Sequence, residues 1–131
     1  MDEPTEAQIR EFWEWCGFIF HDYIVYEYEH RDTRVEDPYW ENPQGHEVLA
    51  LPKLDINNLF KYAIPKLYQN GYYYEILQWN EGQHKAIINR RTAEWAETYS
   101  SFVNIDPTLA LFWAIYSLID KPALVQSHKE D

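Results

Sequence analysis

The residues here that can do chemistry are five histidines, one cysteine and 22 carboxylates, and their spacing decides which chemistry is open to them. A zinc protease needs two histidines one helical turn apart with a glutamate between, and a structural zinc site needs Cys and His at short fixed intervals. His21, His30, His46, His84 and His128 form neither pattern, and His46-Glu47 has no second histidine on the next turn. Cys16 falls among apolar residues at helical spacing and reads as a buried, inert thiol. A lone cysteine makes no internal disulfide and so implies no oxidising compartment. The glycines stand singly at Gly17, Gly45, Gly71 and Gly82, so the chain has no phosphate-cradling loop of the usual types and no nucleophile elbow. No metal site and no cofactor is expected. Paired carboxylates can cleave a glycosidic bond when they flank a sugar cleft. With so many acids, however, the nearness of two specifies little, and a small hydrolase or nuclease stays a distant alternative.

Two constellations suit binding better. Arg90-Arg91 is the single basic doublet, and with Trp95 and Tyr99 it offers guanidinium and ring surfaces to an anionic ligand such as a nucleotide. The competing reading is a solvated strand end. The second constellation is acidic. Residues 1–47 carry 13 Asp and Glu against 3 Arg, a balance of −10, whereas 48–131 carry 9 acids against 8 bases, a balance of −1. Within the first part, Glu27, Glu29, Glu36, Asp37 and Glu41 accompany Tyr39 and Trp40. Tyr39 and Trp40 are expected to be partly exposed, as are Trp15 and Trp95, and able to anchor a partner. Such a surface suits a basic protein and disfavours direct contact with a nucleic-acid backbone, which needs Lys and Arg. The competing reading is a merely solubilising charge.

Stepping along the chain, Thr5 and Gln8 fit a capping box, and Ile9, Phe12, Trp13 and Cys16 make one apolar face before Gly17, predicting a helix over 6–16. Residues 18–30 are aromatic and β-branched and read as one strand. Residues 31–45 read as a charged loop with Pro38, Pro43 and Gly45, and 46–51 as a short returning strand. Asp55 caps a second helix with apolar residues from Ile56 to Leu67. Pro65 predicts a kink near 61–65 or an end before it. Residues 72–79 and 84–90 predict a hairpin turning at 80–83, its first strand apolar on both faces. Residues 92–101 are ambiguous, with Trp95 and Tyr99 at helical spacing. Asp106-Pro107 starts a third helix to about Asp120, apolar all round, followed by a frayed tail over 121–131. A helix of that kind is either deep core or a homo-oligomer interface through 106–120.

The order α-β-(β)-α-β-β-α predicts an α+β fold, one domain over 1–131, with a small antiparallel or mixed β-sheet sandwiched by three helices. No stretch reads as a signal peptide or reaches the roughly 20 apolar residues of a membrane span, so no membrane association and a cytoplasmic location are expected.

Three segments together resemble a known family: Glu11-Phe-Trp-Glu-Trp-Cys-Gly17, Leu51-Pro-Lys-Leu-Asp-Ile-Asn-Asn-Leu-Phe-Lys-Tyr-Ala-Ile-Pro-Lys-Leu67, and Asp106-Pro-Thr-Leu-Ala-Leu-Phe-Trp-Ala-Ile-Tyr116. They are similar to the small phage α/β/α-sandwich proteins. The resemblance covers the three helices and implies that fold, a phage or prophage setting, and a regular Pro65 in the second helix. It implies no activity, and no catalytic residue carries over. The acidic stretch 23–41 departs from the shorter connection expected of the family. The resulting expectation is a non-enzymatic phage accessory protein that inhibits a host defence protein by stoichiometric contact in the host cytoplasm. The alternative is a sponge for a nucleotide signal.

Overall fold

The computed structural model describes residues 3–22, 24–27, 33–91 and 96–128, with side chains throughout except at 24–27, 33–36, 91, 96–97 and 120–128. Helix α1 (Glu6–Cys16) starts where expected. Gln8 N–H donates to Thr5 Oγ1 at 3.1 Å, and Thr5 N–H donates to Gln8 Oε1 at 2.9 Å. It stops at Gly17, whose φ of 116° turns the chain back so that Phe18 N–H reaches Trp13 O at 3.1 Å. Phe12, Trp13 and Cys16 are buried. Trp13 meets the rings of Phe12, Phe18 and Tyr62 edge to face.

The next segment differs from expectation. The strand foreseen over 18–30 is two strands, β1 (Ile19–His21) and β2 (Ile24–Glu27). The supposed loop 31–45 contains β3 (Thr33–Glu36) and β4 (Tyr39–Glu41). β2 pairs antiparallel with β3, and β1 with β4. Ile19 lies opposite Glu41 and Ile24 opposite Glu36, so five residues along one arm match five along the other. The two ladders therefore belong to one hairpin in unbroken register. Its pairing lapses around Pro38, which has no N–H to give the ladder. β5 (Glu47–Val48) adds a third strand beside β4. The connecting turn is built on Asn42, whose Oδ1 accepts the N–H of Gln44 and of His46 at 3.0 and 2.9 Å. A run rich in charge, proline and glycine looks like a loop locally; the cross-strand pairing that makes it a hairpin is non-local.

Helix α2 runs through Ile56–Asn58, a π-helical turn at Leu59–Ala63, and Ile64–Gln69. Asp55 Oδ1 caps it by accepting the N–H of Asn58 at 2.8 Å. The irregularity expected at Pro65 is this π turn: Ile64 N–H bonds to Leu59 O, five residues back, and Pro65 opens the following α segment. The extra residue lets the helix pass the proline without ending.

β6 (Tyr72–Gln78) and β7 (His84–Arg91) form the expected hairpin. β8 (Ala96–Asn104) adds a third antiparallel strand where the sequence left a short helix open. From Ala96 onward, through Tyr99, pairing with β7 takes the place of a helix, with a bulge between Ile88 and Asn89; Trp95 lies outside the described residues. β6 is an edge strand. Tyr72, Tyr74 and Ile76 face the core, while Tyr73 and Leu77 are exposed, so the second apolar face is left uncovered by the described residues.

Helix α3 (Pro107–His128) begins with Asp106 Oδ1 accepting the N–H of Thr108 at 2.8 Å. It continues past Lys121-Pro122 to His128, where a frayed tail was expected. Ala110 to Ile115 are all buried against β7, β8 and α1, so the all-round apolar run is accounted for by this chain's own core. Phe12 and Phe112 meet at its centre with ring centroids 4.8 Å apart. The fold is α+β, with three helices and small antiparallel sheets. No helix among the described residues is long and apolar enough to cross a membrane.

Candidate functional site

The hairpin carries the acids. Glu27 ends β2 opposite Thr33, and Glu36 ends β3 opposite Ile24. The side chains of both, and Glu29 altogether, lie outside the described residues. Asp37 is exposed just before β4. Tyr39 is half-buried and stacks on His21, directly opposite it, with centroids 4.6 Å apart and planes 11° apart. Glu41 Oε1 takes His21 Nε2 at 3.0 Å, a diagonal contact that stiffens the base of the hairpin.

Trp40 corrects the sequence reading. It is 8% exposed and belongs to the core, so it is not a partner anchor. Strand alternation explains this, since Tyr39 and Glu41 point one way and Trp40 the other. Trp40 meets its cross-strand neighbour Phe20 at 4.9 Å, and the guanidinium carbon of Arg10 lies 5.1 Å from Trp40 and 5.2 Å from Phe20. The same Arg10 holds Glu14 through Nε at 3.2 Å. Arg10 therefore pins the hairpin to α1, a role that an exposed helical arginine gave no sign of in the sequence.

Two features mark the other face as electrostatically unfavourable in isolation. Glu41 lies directly opposite Glu47, a like-charge pair that weakens a ladder. Asp37 and Glu47 also line one recess of about 320 Å³ together with Pro38, Tyr39 and Leu49, and Leu49 is 88% exposed. The recess thus offers two carboxylates, an aromatic ring and an aliphatic wall. That set accepts a cationic head on an apolar stem, as Lys and Arg provide. Glu47 and Leu49 were not singled out in the sequence because β4–β5 pairing is what brings them to Asp37. Among the described residues no three His, Cys, Asp or Glu side chains gather as a metal site.

The basic constellation is only partly assembled. Arg90 is exposed on β7 with its guanidinium carbon 5.9 Å from the ring of Tyr72, its direct cross-strand neighbour. Tyr72 and Tyr99 rings meet at 5.3 Å. Burial first, then the hydrogen-bonded Tyr99, hold the Tyr72 hydroxyl above its ordinary pKa, with Arg90 opposing. Arg91 lies on β7 opposite Ala96, its side chain outside the described residues, as is Trp95 entirely. Trp15, expected to be partly exposed, is half-buried at the helix edge beside Phe12. Burial pushes the Cys16 thiol well above its usual range, and the nearby Lys66 only partly offsets this.

The chain matches no family model, no curated protein and no solved structure.

Proposed function

We infer that this chain is a non-enzymatic binding protein that engages a basic partner through the acidic side of its first hairpin. The observation that carries the reading is the recess where Asp37 and Glu47 converge beside Tyr39 and Leu49, next to the like-charge pair Glu41 and Glu47. A cationic side chain seated in the recess meets Asp37 and Glu47 and relieves the repulsion between Glu47 and its cross-strand neighbour Glu41. Glu27 on β2, Glu36 on β3 and, in the sequence between them, Glu29 add to the same charge and steer association. The resemblance of the helical segments to phage proteins supports placing the partner in the cytoplasm of an infected bacterial host. A defence protein with a basic face is the class in view.

The test is capture from host lysate at low and high salt, comparing wild type with a variant reversing Glu27, Glu29, Asp37 and Glu47 to Lys. Glu41 is left intact because it holds His21. A partner retained by wild type at low salt, released at high salt and lost by the folded variant is the expected result. A partner retained equally by the reversed variant refutes the reading.

A further inference from the structure

On the opposite charge, the clearest unassigned site is a cleft of about 300 Å³ between α1, the end of α2, β6 and α3, lined by Trp15, Asn70, Tyr72, Arg90 and Leu118. None of these residues belongs to the acidic first hairpin, β1 to β4. Its lining combines three kinds of group. Arg90 supplies a guanidinium; Lys66 is not part of the lining, but its ammonium sits 6.0 Å from the Trp15 ring. Trp15 and Tyr72 supply ring surface, and Asn70 supplies an amide. Tyr99 stands behind Tyr72 and shares a hydrogen bond with it, fixing that ring. Neither Arg90 nor Lys66 has an ion-pair partner among the described residues. Glu97 is the residue opposite Arg90 on β8, while Arg90 itself lies against Tyr72 on the other neighbouring strand.

Cations beside flat rings, in an otherwise acidic protein, select a ligand that is itself both planar and anionic. The volume is at the lower bound of small-molecule sites, which fits one ring system and one anionic group. We propose that this cleft binds a nucleoside monophosphate, the base against Trp15 and Tyr72 and the phosphate on Arg90. Asn70 Nδ2 already donates to Lys66 O at 3.1 Å, which leaves its side-chain oxygen for the base edge or ribose.

The experiment is isothermal titration of the full chain with AMP, adenosine and inorganic phosphate, repeated on Arg90→Ala. AMP is expected to bind saturably, with adenosine and phosphate each at least about tenfold weaker, because ring and charge act together. Arg90→Ala is expected to weaken AMP about tenfold or more. Arg90 is exposed and its loss leaves the core intact, so a folded variant is available. Absence of saturable AMP binding, phosphate binding as tightly as AMP, or unchanged AMP affinity in Arg90→Ala overturns the proposal.

Discussion

Replacing Gly17 by alanine tests how the hairpin hangs on the rest of the molecule. Gly17 joins α1 to β1 with φ 116°, well outside the left-handed well near +60° that an L-residue can occupy. A Cβ there would also stand 3.4 Å from Pro43 Cβ and Cγ, at the turn that returns from β4 to β5. Gly82 is the matched control, with φ 75° and nothing within 4 Å of a built Cβ. A left-handed alanine costs about 1–2 kcal/mol, offset by about 0.4–1 kcal/mol from a stiffer unfolded chain. Gly82→Ala is thus expected to lose about 1 kcal/mol. Gly17→Ala adds the displacement from that well, with Pro43 leaving no room for the backbone to relax by more than a van der Waals contact, for a loss of about 2–3 kcal/mol. For a chain of this size that is a fall of roughly 6–12 °C in Tm. Urea unfolding of both variants gives the difference directly, and hydrogen exchange locates it: amides of 19–21 and 39–41 should lose protection first in Gly17→Ala. Equal destabilisation of the two variants would refute the claim that this junction and its proline neighbour fix the hairpin.

Phe12→Ala, at the centre of the core, is expected to cost about 3–5 kcal/mol by denaturant unfolding, since Phe12 is fully buried against Trp13 and Phe112. Cys16 should resist thiol reagents at neutral pH in the native protein and react at the rate of global unfolding, because burial keeps it protonated. Both Tyr72 and Cys16 have folded pKa values raised above their unfolded ones, so their contribution is intact at neutral pH and is lost as pH climbs past the ordinary thiol and phenol ranges. Alkaline unfolding midpoints should therefore move upward in Tyr72→Phe if its lost hydrogen bond to Tyr99 is subtracted using the neutral-pH stability difference. Ser100→Ala should cost about 1 kcal/mol in thermal unfolding, because Ser100 Oγ donates to Ala114 O of α3 at 2.7 Å.

Local signals carried the helical scaffold. Thr5 with Gln8, Asp55, Asn70-Gly71 and Asp106-Pro107 each name a helix boundary through a bond between neighbours in sequence, and each boundary is where the backbone places it. Non-local pairing was illegible. β8 depends on β7, and β3 and β4 depend on strands some ten to twenty residues earlier, as the Ile24–Glu36 and Ile19–Glu41 pairs show. The candidate sites divide the same way. Asp37 and Tyr39 were visible as an acidic, aromatic run, but Glu47 and Leu49 join them only through β5. Arg90 and Tyr99 were visible near a strand end, whereas Trp15, Asn70 and Tyr72 reach Arg90 from three different elements. Trp40 failed for a simpler reason: in a strand, adjacent residues face opposite sides, so one of the Tyr39-Trp40 pair had to turn inward.

The unbroken register of the first hairpin also limits how such a chain can vary. Adding or removing one residue in a single arm would turn Phe20 or Trp40 away from Arg10 and rotate Tyr39 toward the core. Between the paired positions, length can therefore change only by matched steps in both arms. A hairpin built this way can lengthen or shorten while its root on α1 stays the same.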